Sequence, residues 1–252
     1  MNLSLWLACY REIVRKLSLS WDRDQEAADI LSSLLDEDFI PLEKVREAVL
    51  GRNVLIFGAG PSLVQDLLNL LQASLLDRFC LITADGATSA LLKQNIRPNL
   101  IVTDLDGDVE DQIHASKEGS IVIVHAHGDN IPALRKYVSK LRNRLGSTQV
   151  QPRRGVYNFG GFTDGDRAAF LSIYLGANTV TLAGMDFGSK IGEYSKPKPY
   201  SKEMKIEKLR IGLELLEWLS TFTKIPLYNI TANGNPIRGF RKVTVDELRS
   251  LL

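Results

Sequence analysis

The residues best equipped for chemistry fall at the ends of short apolar runs. NLIVTDLDGD (99–108) ends in Asp104, Asp106 and Asp108 at alternate positions, and the preceding run FCLITAD (79–85) ends in Asp85. Carboxylates at alternate positions share one face of an extended chain, where their mutual repulsion is costly without a cation. A hard divalent ion relieves it, and Mg²⁺ commonly binds through one or two carboxylates plus substrate phosphates. Asp104 and Asp106 are therefore the expected metal ligands, with Asp85 beside them, in a site suited to phosphate chemistry. An acidic turn without metal is the plain alternative. A calcium-binding EF-hand does not fit, because the twelfth position from Asp104 is Ala115 rather than glutamate.

Three further segments carry chemistry-bearing side chains. GAGPS (58–62) places Gly58, Gly60 and Ser62 between an apolar run and helical spacing, where backbone N–H groups approach an anion at a helix N-terminus. A phosphate turn, a dinucleotide fingerprint and a tight turn that merely needs glycine all stay open here. The dinucleotide reading ranks below phosphate because Leu63 stands where a third Gly or Ala belongs and Pro61 has no N–H, although Asp85 imitates a ribose ligand. HAHGDN (125–130) gives His125, His127 and Asp129, a spacing that also occurs at transition-metal centres. Since His114 is the single further histidine, contact of His125 and His127 with substrate ranks above zinc ligation, with structural histidines close behind. YNFGGFTDGDRAAFLSIYLGA (157–177) reads as strand, glycine loop and helix, with Thr163 as N-cap and Asp164, Asp166 and Arg167 at the first turn.

The charge pattern adds a substrate preference. Residues 130–163 carry seven Lys or Arg and no acid, while Lys190, Lys196, Lys198, Lys202, Lys205 and Lys208 crowd a second stretch. Basic segments on both sides of an acidic centre suit a polyphosphate, and 188–200 is expected to close over it as a lid.

The elements that must hold these residues alternate. NVLIFG, FCLITAD, NLIVTDLD, SIVIVHAH, VYNFG and NTVTLAGMD are short β-rich runs, and their continuous hydrophobicity marks strands covered on both faces. Helical spacing falls at 61–76, 86–95, 130–145, 164–175 and 201–222, with a late strand at 227–231 and a terminal helix at 243–252. The expected fold is α/β, a mostly parallel sheet flanked by helices, occupying 51–252. Residues 1–50 form a small, net acidic N-terminal helical segment expected to pack as a cap on this catalytic domain. In open parallel sheets ligands bind at the carboxyl ends of the strands, where Asp85, Asp104, Asp106, His125, His127 and Asp186 should converge.

Composition narrows the class. With 252 residues, 44% hydrophobic and 24% charged, the chain suits one large globular domain or a domain with an appendage, not a disordered protein. A net charge of +1 is too balanced for a protein built to neutralise nucleic-acid phosphates. Cys9 and Cys80 form no Cys-x-x-Cys pair, and no stretch reaches the roughly 18 apolar residues of a membrane span. A cytoplasmic location is the expectation.

Taken in order, GAGPSL, ADGATSALL, PNLIVTDLDGD, HAHGDN, NFGGFTDGDRAAFLSIYLGA and LAGMDFG resemble the archaeal 6-hydroxymethyl-7,8-dihydropterin pyrophosphokinase (MptE-like) family, from about Asn53 to Thr231. ADGA, TDLDG and FTDGDRA also resemble thiamine pyrophosphokinase patterns, although TDLDG departs from the thiamine enzymes' GDxDS loop and HAHGD is extra. The resemblance implies a thiamine-pyrophosphokinase-like catalytic scaffold, with Mg²⁺ as cofactor and ATP as co-substrate. It implies diphosphate transfer from ATP to the hydroxymethyl group of a reduced pterin, releasing AMP, in the making of a folate-type or tetrahydromethanopterin cofactor.

By matching position, Asp85, Asp104, Asp106 and Asp164 surround metal and diphosphate, and Asp108, Asp166 and Asp186 form a second tier. Asp85 or Asp164 takes the hydroxyl proton. Gly58, Gly60, Ser62, Gly86 and Arg167 contact phosphates, and His125, His127, Asn158 and Phe162 face the pterin. ATP and the pterin are the expected partners, with no nucleic acid and no membrane; a homo-oligomer is allowed. The competing readings are a thiamine diphosphotransferase, a nucleotide-sugar glycosyltransferase, a hydrolase with zinc or manganese at the two histidines, and a nucleotide sensor without turnover.

Overall fold

The computed structural model describes residues 2–36, 38–188, 190–195 and 202–252. The β/α alternation read from the apolar runs is present as strands β1 (Asn53–Phe57), β2 (Cys80–Ala84), β3 (Leu100–Thr103), β4 (Ile121–Ala126), β5 (Arg144–Thr148), β6 (Val156–Tyr157), β7 (Thr179–Ala183), β8 (Leu227–Asn229) and β9 (Arg241–Lys242). They form one sheet in the order β6-β5-β4-β3-β2-β1-β7-β8-β9. Every ladder between these strands is parallel. The chain steps outward from β1 to β6, then crosses β1 to lay β7 on its other side. Adjacent carboxyl ends therefore gather loops from distant parts of the sequence.

Both faces of the sheet are buried. Val54 and Ile56 of β1 join one core cluster, while Leu55 and Phe57 join the other, as strand alternation requires. The helices on the first face include α8 (Asp164–Tyr174), which crosses the centre of the sheet, and α9 (Lys202–Ser220). The second face is covered by α4 (Leu63–Gln72), α5 (Ala87–Leu92) and the terminal α10 (Val245–Leu251). The helix α6 (Val109–Lys117) follows β3 and α7 (Ile131–Tyr137) follows β4. Among the described residues no helix is long and apolar enough to cross a membrane.

Residues 1–50 are helical where described, as α1 (Leu3–Leu17), α2 (Trp21–Leu35) and α3 (Leu42–Val49). Trp6, Tyr10, Leu31 and Leu35 are fully buried in the same cluster as the sheet. Burying a side chain such as Leu31 or Leu35 contributes about 1.5–3 kcal/mol, and these N-terminal helices are continuous with the core.

The expected helix over 130–145 is a correction. Helix α7 ends at Tyr137, a short 3₁₀ turn follows over Val138–Lys140, and Arg144 already begins β5. The sequence RLGST lacks an apolar run, yet all five residues are buried because α2 packs on them. Gly146 permits that approach, since a Cβ there would lie 2.7 Å from Val156 Cγ2 and 3.1 Å from Leu31 Cδ2.

Candidate functional site

A cavity of about 630 Å³ lies at the carboxyl ends of six consecutive strands, β5, β4, β3, β2, β1 and β7. Its volume suits a ligand of nucleotide or drug size. Asp85, Asp104, Asp106, Asp164, His125, His127 and Phe162 all line it, so the sequence-predicted acids and ring contacts meet there.

The acids converge through turns rather than through an extended strand. Strand β3 ends at Thr103, and Leu105 adopts φ +64°, a left-handed conformation uncommon for a branched side chain. Leu105 is buried between half-buried Asp104 and Asp106, and its N–H donates to Thr103 Oγ1 at 2.8 Å. Asp108 therefore leaves the group that alternate spacing predicted and becomes the exposed N-cap residue of α6. Asp85 takes its place. It also has positive φ, +42°, and its Oδ1 accepts from Thr103 Oγ1 (2.7 Å), Gln112 Nε2 (2.9 Å) and Gly107 N–H (3.2 Å).

One carboxylate oxygen each from Asp85, Asp104 and Asp106 lies within 4.8 Å of the others. Burial raises the Asp85 carboxyl above its ordinary pKa, and Asp104 raises it further. Asp164, the first residue of α8, is pushed well above its ordinary value by burial, then by Asp104 and Asp85. This all-oxygen donor set under mutual repulsion fits a hard divalent cation such as Mg²⁺.

The two histidines serve different neighbours. His127 Nδ1 accepts from the Asp129 N–H at 3.3 Å, which leaves Nε2 to carry the proton toward Asp104 Oδ2 at 3.2 Å. His125 is buried on β4, its Nδ1 is 3.2 Å from Ser147 Oγ, and burial with nearby Arg167 holds its pKa well below the usual imidazole value. Neither belongs to the group of residues, among those described, close enough to share an ion. A side chain the sequence reading missed connects these strand ends: Asn130 Nδ2 donates to Asp104 O (2.8 Å) and His125 O (2.7 Å). Gln112 was missed as well, since a single polar residue within helix α6 carries no period or motif.

Several expected contacts lie elsewhere. Gly58 and Gly60 line the cavity, but their N–H groups donate to Ala183 O and Gly184 O, both at 2.9 Å. Ser62 does not reach the cavity wall; its N–H and hydroxyl donate to Asp186 at 3.1 and 2.6 Å. The turn is thus a place of close approach between β1 and β7, not the row of free amide donors expected for an anion. Gly86 lines the wall, whereas Asn158 does not, because its amide donates to Val150 O at 2.7 Å. Arg167 is 1% exposed, also off the wall, and braces the loop by donating to Phe162 O at 3.0 Å. Asp166 is structural as well, accepting from Phe162 N–H (2.6 Å) and Thr163 N–H (2.8 Å) at the start of α8.

The basic wall comes from one of the two expected segments together with Arg23 of α2, which the sequence reading did not single out. Lys190, Lys202, Lys205 and Lys208 line the cavity, the last three on one face of the first turns of α9. No Lys or Arg of 130–163 does so. Arg144 instead pairs with Asp38 at 2.8 Å, in the connection between α2 and α3, and Arg153 pairs with Asp29 of α2. Lys196, Lys198 and much of the expected lid lie outside the described residues. The described part, 190–195, lies over the glycine turns, with Gly192 against Ala59 O and Tyr194 O against Gly86.

Fold and site together define an α/β protein with a strand-edge cavity joining a cation-suited acid cluster to a lysine wall. Residues 28–192 match the family described as 6-hydroxymethylpterin diphosphokinase MptE-like. The chain is 41% identical over 231 residues to the 6-hydroxymethyl-7,8-dihydropterin pyrophosphokinase of Methanocaldococcus jannaschii, covering 87% of this chain and 96% of that one. It is 42% identical over 225 residues to the protein of the same name from Methanothermobacter thermautotrophicus, covering 87% and 95%. The chain belongs to the MptE-like 6-hydroxymethylpterin diphosphokinase family. Among solved structures, the MAf glycosyltransferase of Magnetospirillum magneticum superposes with a TM-score of 0.57 at 17% identity, over 79% of this chain and 34% of that one, a likeness of fold alone. A thiamine pyrophosphokinase from Bacillus subtilis superposes at 0.36, too loosely to define a fold.

Proposed function

We propose that this chain transfers the diphosphoryl group of ATP to the hydroxymethyl oxygen of 6-hydroxymethyl-7,8-dihydropterin and releases AMP. The observation that carries this reading is the trio Asp85, Asp104 and Asp106, clustered within 4.8 Å in a cavity that lysines also line. The names and high coverage of the archaeal relatives support the acceptor.

The trio would hold Mg²⁺. When bound, that ion neutralises polyphosphate oxygens and the charge that develops on departing AMP. Lys190, Lys202, Lys205 and Lys208 pair with the phosphate chain and orient it, and orientation is a large share of catalysis when the nucleophile is a weak primary alcohol. Asp164 takes the hydroxyl proton. It lines the cavity outside the trio and burial raises its proton affinity, whereas Asp85 has its Oδ1 taken by Thr103, Gln112 and Gly107 and belongs to the trio that would hold the ion. Phe162 offers the acceptor ring an apolar face, and neutral His125 and buried Gln149 offer polar contacts at the same wall.

Side-by-side incubation of ATP and Mg²⁺ with 6-hydroxymethyl-7,8-dihydropterin or with thiamine, scored for AMP, tests this. AMP with the pterin alone is expected; AMP with thiamine alone, or with neither, overturns it.

A further inference from the structure

We propose that Tyr10 of α1 and Asp24 of α2 are positioning residues for the cation-binding acids, acting through the loop His127–Asp129. Both lie outside residues 28–192, so the family match assigns them no role. The inference rests on the carboxylate trio being the cation site. Tyr10 is fully buried, in ring contact with Trp6 and Trp21, and its hydroxyl donates to Asp24. Asp24 is 5% exposed, and its other oxygen accepts the Gly128 N–H at 2.8 Å across 104 residues of sequence. Gly128 sits directly on α2, since a Cβ there would lie 2.6 Å from Arg23 Cβ. On one side of Gly128 is His127, which donates to Asp104; on the other is Asp129, whose N–H fixes the His127 ring. A chain of direct contacts thus runs from α1 through α2 and the loop to a carboxylate of the trio. Outer partners of this kind set the orientation of ligand side chains and with it metal affinity.

Calorimetric titration of Mn²⁺ into the full chain, without nucleotide, reads this apart from turnover. Asp24→Ala removes the acceptor and should weaken Mn²⁺ binding about 10-fold, the lower end of the range for outer-sphere changes. Asp24→Asn keeps an oxygen for Gly128 and should stay within about twofold of wild type, by the same reasoning. Tyr10→Phe keeps the ring packing and should fall between the two. Wild-type affinity in Asp24→Ala overturns the proposal, as does an equal loss in Asp24→Asn. Should Asp24→Ala not fold, Tyr10→Phe decides: weaker binding supports the proposal and unchanged binding overturns it. A wild-type chain that takes up no Mn²⁺ instead refutes the cation site itself, and the positioning role with it.

Discussion

Asp104 and Asp106 each bring a carboxylate oxygen within 4.8 Å of the other and of Asp85, so the proposed role in cation binding and the effect on stability are separable by substitution. Replacing either with Asn should lower AMP release roughly 10³-fold, the scale of losing a transition-state charge partner. Without metal, the variants should melt at the wild-type temperature or above it, because a repulsion is removed. Gly107 provides a steric test of the same cluster. A Cβ there would lie 2.4 Å from Asp85 Oδ2 and 2.9 Å from Oδ1, so Gly107→Ala must displace that carboxylate. The variant should stay folded by circular dichroism and lose about 10–100-fold in Mn²⁺ affinity; unchanged affinity would remove Asp85 from the site. These acids were legible in the sequence because charge at a strand end is unusual. Thr103, Gln112, Asn130 and Asp24 were not, since each acts through hydrogen bonds to partners distant in sequence or hidden in ordinary polar positions.

Elements whose burial comes from their own side chains were readable, and those buried by something else were not. Strands β1 to β4 announce themselves by continuous apolar runs, whereas β5 is enclosed by α2 and carries a charged residue that needs Asp38 and Leu141 O as partners. The basic stretch 130–163 misled for the same reason: two of its arginines, Arg144 and Arg153, pair with Asp38 and Asp29 of the acidic N-terminal segment, and none of its basic residues lines the cavity. Helix α4 holds another hidden tie. Asp66, 1% exposed, accepts from Gly184 N–H at 2.8 Å and Ala232 N–H at 3.0 Å, joining the ends of β7 and β8. Burial is the main cause that raises its pKa from 3.8 to about 6. The folded chain then holds this proton more tightly than the unfolded chain. Its contribution favours folding below pH 4 and is lost as pH rises from about 4 to 6, a change of about 3 kcal/mol. Denaturant melts across that interval should show this fall, and Asp66→Asn should flatten it. An identical slope in the variant would assign the titration to another group.

Across the whole molecule, one topological event makes the site. Because β7 crosses to the far side of β1, the ends of six neighbouring strands carry loops from residues 58 to 187 around one cavity. Parallel strands place all those ends on one side, so acids separated by about 20 residues in sequence become neighbours. That convergence was foreseeable from the β/α rhythm alone. The contribution of α1 and α2 was not, because it depends on where two helices without strand signals land on the sheet. The most direct test of the acid cluster as the phosphate-handling centre is a crystal structure with Mg²⁺ and a non-hydrolysable ATP analogue. It should show the ion roughly 2.1 Å from oxygens of Asp85, Asp104 and Asp106, with the polyphosphate reaching Lys205 and Lys208. An ion or nucleotide bound away from these carboxylates would contradict it.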